Sequence, residues 1–189
     1  MNIKEELKNR ANFFFFSLAD HIQEKSPELD LVRMVARKYQ NKKELAKDKL
    51  YRSLVKRGII LGVEARHNIV VTAGRTVFAR RMAGDTTYTG EIDYGALGNG
   101  VSPSFTNAST QLSNEVFRKQ AASQAYNNNI AYIDWFIASG DVADGTYTEF
   151  GSFIDGTASA NSGQAFSLFA TGGWVKSGSM FISAMYTIS

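Results

Sequence analysis

Only two histidines, His21 and His67, and no cysteine occur among the 189 residues. Neither histidine has a second ligand at metal-binding spacing, and without thiols there is neither a thiolate site nor a disulfide framework. Both read as boundary residues beside apolar segments. No HExxH, lysine-bearing phosphate loop or nucleophile elbow is present. The run "GALGNG" at 95–100 has the glycines of a dinucleotide fingerprint. That motif must leave a buried strand and open a helix whose N-terminus meets the pyrophosphate. Val101, Ser102 and Pro103 follow instead, so the run reads as a turn between strands.

Carboxylates offer the other route to chemistry. Glu91 and Asp93 alternate on one face of an expected strand, and Asp134 and Glu149 sit on others. A hydrolytic pair needs two carboxyls in unlike environments across a cleft; solvated acids on sheet faces are the favoured reading. The acidic loops "SGDVADGTYTE" and "FIDGTASANSG" lack EF-hand spacing. The expectation is a non-enzymatic protein with no metal and no cofactor.

Charge divides the chain. Residues 1–57 hold 14 Lys/Arg against 8 Asp/Glu, a net of +6, and residues 58–81 add +3. From 82 onward only Arg118, Lys119 and Lys176 oppose nine acids, a net of −6. Such asymmetry marks different partners for different segments. The basic stretch carries Arg33, Arg37, Lys38, Lys42, Lys43, Lys47, Lys49, Arg52, Lys56 and Arg57, opposed locally by Glu44 and Asp48. It suits an acidic protein surface; nucleic acid is the weaker alternative, because no helix-turn-helix spacing or aromatic platform accompanies it.

The elements that must present these residues follow from start and stop signals. Three helices are expected in front: one from a capping box of Asn2 and Glu5, one from Ser26, Pro27 and Glu28, and one from Asn41 and Glu44 that Gly58 closes. Phe13, Phe14, Phe15 and Phe16 then fall on the first helix. Four successive rings point around its whole circumference, so a one-sided core cannot bury them, and they read as an interface to another subunit, with contact to a membrane surface as the alternative. No apolar run approaches the roughly 18 residues of a membrane span, and the basic, acidic and aromatic start does not match a signal peptide.

Behind Gly58 the period changes. A strand is expected through Asn68 to Thr72, then a short helix over 73–82 capped by Thr72 and ended by Gly84. Further strands are expected over 90–97, 115–125, 131–138, 146–154, 164–170 and 179–188, interrupted by Gly, Asn, Ser and Thr. The predicted fold class is α+β: a basic helical attachment segment over 1–58, then an antiparallel β-sandwich, jelly-roll-like, over 59–189, with an open sheet packed on the front helices as the alternative.

The runs "NIVVTAGRTVFARRMAGD", "YGALGNGVSPSFTNASTQLSNEVFRK", "AYIDWFIASGDVADGTYTEFGSFID" and "QAFSLFA", closing in "YTIS", together resemble a domain of tailed-bacteriophage structural proteins, found in tail fibres, baseplates and head decoration. The resemblance covers about residues 67–189. It implies structural roles for the matching positions. Gly74, Gly95, Gly98 and Gly151 would serve turns or close backbone approach, Leu112, Val116 and Arg118 would tie the central segment to the sheet, and Phe150 and Phe153 would pack the core.

It also implies a virion protein assembled in the host cytoplasm, present in several copies as a homo-oligomer among other virion proteins. A position at the tail, baseplate or neck is the first expectation, with docking through the helical front; capsid decoration is the alternative. A second class is a module that recognises a host glycan or surface protein, with Tyr126, Trp135 and Trp174 as aromatic candidates.

Overall fold

The computed structural model describes residues 10–188, which form nine strands and four helices. Sheet A has the order β2-β1-β9-β6-β5: Ile60–Ile69, Arg10–Leu18, Ser179–Thr187, Ile130–Ile137 and Ser123–Asn127. Sheet B has the order β4-β3-β7-β8: Glu115–Gln120, Ile92–Gly98, Gly145–Ile154 and Gln164–Lys176. Every named pairing is antiparallel. Four of the seven sheet neighbours are hairpin partners in sequence, β1-β2, β3-β4, β5-β6 and β7-β8. That order departs from a jelly roll, whose two Greek keys return strands through long crossovers.

The sheets pack face to face. Phe13, Phe15, Trp135, Ile182 and Tyr186 of sheet A meet Leu97, Phe150, Phe169 and Trp174 of sheet B. Phe15 stacks on Trp174 with centroids 4.6 Å apart, and Phe13 meets Phe150 edge-on at 5.7 Å. One polar node interrupts this core: the Tyr186 hydroxyl bonds Ser152 at 2.7 Å and Ser167 at 3.2 Å, and burial pushes the phenol pKa well up. The sheets are also joined at their margins. The chain bends from β4 into β5, and Val70, just past β2, bridges to Ser167 on β8.

A helical layer covers the outer face of sheet A. Helices α1 (Pro27–Lys38), α2 (Lys42–Leu45) and α3 (Lys49–Lys56) lie in sequence between β1 and β2. The Ser26 hydroxyl accepts the Leu29 N–H at 3.2 Å and Asn41 Oδ1 accepts that of Glu44 at 2.9 Å. The helix expected to run from Asn41 to Gly58 is interrupted, because Asp48 Oδ1 accepts the N–H groups of Leu50 and Tyr51 at 2.7 and 3.0 Å and starts α3 afresh. Gly58, at φ +70°, then takes the left-handed position after the last turn. Leu29, Val32, Val35 and Ala36 recur at helical spacing and pack with Leu45 and Leu54 on Phe14, Phe16, Phe136 and Phe181.

This overturns the helical front. Phe13–Phe16 form the middle of β1, hydrogen-bonded between β2 and β9. Because side chains alternate across a strand, Phe13 and Phe15 face sheet B while Phe14 and Phe16 face the helices, and none is more than 3% exposed. A strand in a sheet covered on both faces can be apolar at every position. The four rings are therefore buried by this chain itself, and the helices are an insertion into the sheet rather than a leading segment. The Asn2 and Glu5 capping box lies outside the described residues.

Helix α4 (Thr72–Met82) follows β2. Its cap position is Val71, which offers no side-chain bond, and the Thr72 N–H instead donates to the Asn107 carbonyl at 2.8 Å. The expected strand over 115–125 divides at Ala121, where the chain passes from one sheet to the other.

Candidate functional site

Of the expected cations, most are consumed inside the molecule. Arg33 and Arg37 lie one turn apart on α1 and reach the same carboxylate, Asp134 on β6. Asp134 Oδ2 accepts from Arg33 Nε at 3.2 Å and from an Arg37 terminal nitrogen at 2.5 Å, and Oδ1 accepts from the Ser183 hydroxyl at 2.7 Å. Its side chain is fully buried. Desolvation raises its pKa, opposed by the two guanidiniums and the Ser183 hydroxyl. This node pins α1 to the sheet.

The next cations are tied at the surface. Lys38 bonds Asp48 at 3.0 Å, Lys42 bonds Glu64 at 3.2 Å, and Lys47 bonds Glu44 at 2.9 Å. The Tyr39 hydroxyl also donates to Asp48 at 2.7 Å, and these bonds with the backbone N–H groups hold that carboxyl far below the usual aspartate range. What remains is a distinct set. Lys43, Lys49, Arg52 and Lys56 are exposed and form no ion pair among the described residues. Positions 49, 52 and 56 share one face of α3, opposite buried Leu54. The sequence showed ten cations; the fold subtracts those whose carboxylates it brings within reach.

The acids behind the helices are engaged in the same way. Asp85 pairs with Arg80, Glu115 with Arg118, Asp141 with Lys119 and Asp144 with Lys176. Asp93 and Asp155 accept from Gly156 and Thr89. The two loops weighed for calcium thus spend their acids on lysines and backbone N–H groups, and among the described residues no three metal-ligating side chains gather. Asp134 and Glu149 do not form a pair across a cleft: Asp134 faces the helices outside sheet A, whereas Glu149 lies against Gly98, Gly100 and Asn114 on sheet B. His67 Nδ1 contacts Asn12 Oδ1, and His21 is exposed.

The positions singled out in the rear lie at tight packing points. A Cβ on Gly74 would stand 2.6 Å from the Phe166 ring, so α4 can approach β8 only through glycine, and one on Gly95 would stand 2.8 Å from Trp135. Gly98 lies against Glu149, and Gly151 against Leu168 and Phe153. Phe150 is in the inter-sheet core and Phe153 in a smaller cluster with Val71, Ala96, Leu112 and Leu168 outside sheet B. Arg118 does fasten its segment: it grips Glu115 at 2.6 Å and the Ser162 carbonyl at 2.9 Å, over the Phe153 ring at 4.7 Å. Val116, on β4, is exposed. Of the three aromatic candidates for recognition, Trp135 and Trp174 are core residues; Tyr126, on the edge strand β5, is exposed.

No family model matches the sequence, and neither the curated proteins nor the solved structures hold a match to it. The resemblance to phage structural domains therefore rests on the motifs quoted above and on nothing further.

Proposed function

We propose that this chain is a non-enzymatic assembly protein that docks through its helical layer onto an acidic protein surface, as a virion structural protein of the tailed-phage type that its motifs resemble. The observation that carries the reading is the set Lys43, Lys49, Arg52 and Lys56: exposed cations with no carboxylate partner among the described residues, whose other charged groups are mostly paired. A partner that supplied the missing carboxylates would gain steering and register from these charges. The two-sheet body fits the role of a base, since its aromatic core is buried between the sheets and sheet A is covered by the helices within this chain. Assembly in several copies at the tail, baseplate or neck is the corresponding placement, with head decoration the alternative.

Reversing three of these charges, in Lys49→Glu/Arg52→Glu/Lys56→Glu, tests the reading. All three side chains are solvent-facing, so the variant should fold and keep its circular dichroism. Its incorporation into particles, counted by mass spectrometry of purified virions, should fall at least about tenfold, as expected when like charges replace attraction at an interface. Wild-type copy number in the variant would sink the docking role. Salt-dependent binding of random duplex by the wild type alone would make nucleic acid the occupant instead.

A further inference from the structure

We infer that β5 is a dimerisation edge: its free side pairs with β5 of a second copy of this chain about a two-fold axis through Ala125, joining the two A sheets into one. Four strands border the sheets, and three are defended. β2 carries Glu64 and Arg66, and the Arg66 Nε bond to the Thr171 carbonyl at 2.9 Å fastens it to β8. The second half of β8 holds Gly172 and Gly173 in the left-handed region, at φ +77° and +91°. β4 carries Glu115, Arg118 and Lys119, its register shifts at Gly98, and Arg118 ties it to the Ser162 carbonyl. Charges, bulges and covering loops are what keep sheet edges from pairing. β5, Ser123–Asn127, has none of these: it holds no charge and no proline, and its register with β6 is unbroken. Among the described residues β6 is its one principal neighbour, and Tyr126 is 85% exposed.

The hairpin fixes which backbone groups are free. Asn127 pairs with Ile130 across a two-residue turn in which Asn128 has φ +52°. The pair flanking such a turn exchanges both of its backbone bonds, and bonded and free residues then alternate along the strand. Asn127, Ala125 and Ser123 therefore bond inward to β6, whereas the N–H and C=O groups of Gln124 and Tyr126 point away from the sheet. These two residues stand symmetrically about Ala125. A two-fold axis there sets each Gln124 opposite the partner's Tyr126 and meets the outward groups of both strands. Ala125 falls on the axis, where a pair without backbone bonds brings the Cα atoms to about 4.5 Å, a spacing that suits its small side chain. An uncharged strand sets no like charges against each other across the axis. Self-pairing consumes the free edge of both copies, so assembly closes at the dimer, and this self-complementarity selects a second copy as the occupant. The axis is perpendicular to the sheet, so both helical layers lie on the same side of the joined sheets. The dimer itself does not depend on the docking role of α3.

A short edge buries less area than a standard stable interface, so sedimentation equilibrium of the full chain should show monomer and dimer exchanging with a dissociation constant on the order of 10 µM. Amide hydrogen exchange should give the same answer residue by residue. The Gln124 and Tyr126 amides should gain protection as concentration rises, while that of Ala125, bonded to β6, is protected throughout. Tyr126→Pro removes a donor that bonds nothing within the chain, and Ala125→Lys sets like charges beside the axis. Each should keep its circular dichroism and weaken dimerisation about tenfold or more. The charge-reversed α3 variant should dimerise as the wild type does, so that loss of docking and loss of this edge are read separately. A chain still monomeric about tenfold above the expected constant overturns the assignment. So does any assembly indifferent to both substitutions, protection at Gln124 and Tyr126 that ignores concentration, or a dimer abolished by charge reversal on α3.

Discussion

Each sheet hides a carboxylate under its outer cover, and the two covers treat it differently. Beneath the helices, Asp134 has both oxygens engaged by Arg33, Arg37 and Ser183. On sheet B, Glu149 is equally buried, yet only Oε2 is held, by the Asn114 N–H at 3.1 Å; Oε1 has no partner among the described residues. The difference lies in what each cover can deliver. A helix projects long side chains at one-turn intervals, so two guanidiniums converge on one acid. The segment 99–114 approaches closely through Gly98 and Gly100, which bring backbone but no cation. A buried charge is compatible with stability only where its partners are complete.

The largest expected effect tests the layered burial itself. Phe14→Ala removes a ring facing the helices and Phe15→Ala one facing sheet B; each should cost about 3–5 kcal/mol in denaturant unfolding, the usual range for a buried phenylalanine. Serine at both positions should leave the chain unfolded, not monomeric. A folded double-serine protein would show that the helical layer is dispensable.

The two acids should then respond with opposite signs. Asp134→Ala strands two partly buried guanidiniums and should lower stability by about 3 kcal/mol. Glu149→Gln keeps an acceptor for Asn114, removes the unpaired charge, and should raise stability by about 1 kcal/mol at pH 7. Chemical denaturation of both variants decides this; equal signs would erase the contrast between the covers.

The smallest effect sharpens the helical side. Asp48→Ala removes the α3 cap and should cost about 1 kcal/mol at pH 7. Because the folded-state pKa of Asp48 is depressed, its contribution is fully present above the ordinary value of 3.8 and is lost as pH falls below it. The gap between wild type and Asp48→Ala should therefore narrow in acid titrations monitored by circular dichroism. A gap constant from pH 7 to pH 2 would remove the capping explanation.

Local chemistry was legible residue by residue. Ser26 with Pro27, Asn41 with Glu44, and Gly58 announce helix boundaries because capping involves groups within a few positions of one another. The alternation in 179–188 and the turn residues between the other apolar runs announce antiparallel strands for the same reason. Asp48 as a cap was also readable, since a short acceptor precedes Lys49 and an apolar pair. The run Phe13–Phe16 was not readable by period, because a strand covered on both faces and an all-round apolar helix share one pattern. Its length, and the turn-rich stretch after Leu18, were the available clues to a strand.

The amino-acid order alone thus determined the helix starts at Ser26 and Asn41, the extended character of the runs behind Gly84, the absence of thiol chemistry, and the uneven distribution of charge. Tertiary structure decided that β1 lies at the heart of sheet A, that Arg33 and Arg37 are spent on Asp134, and that Lys43, Lys49, Arg52 and Lys56 of the ten cations in 33–57 keep no carboxylate among the described residues. Those outcomes depend on contacts as distant in sequence as the pairing of Ala11 with Tyr186. Whether a charge is free is a property of what the fold brings beside it, and no local pattern encodes that.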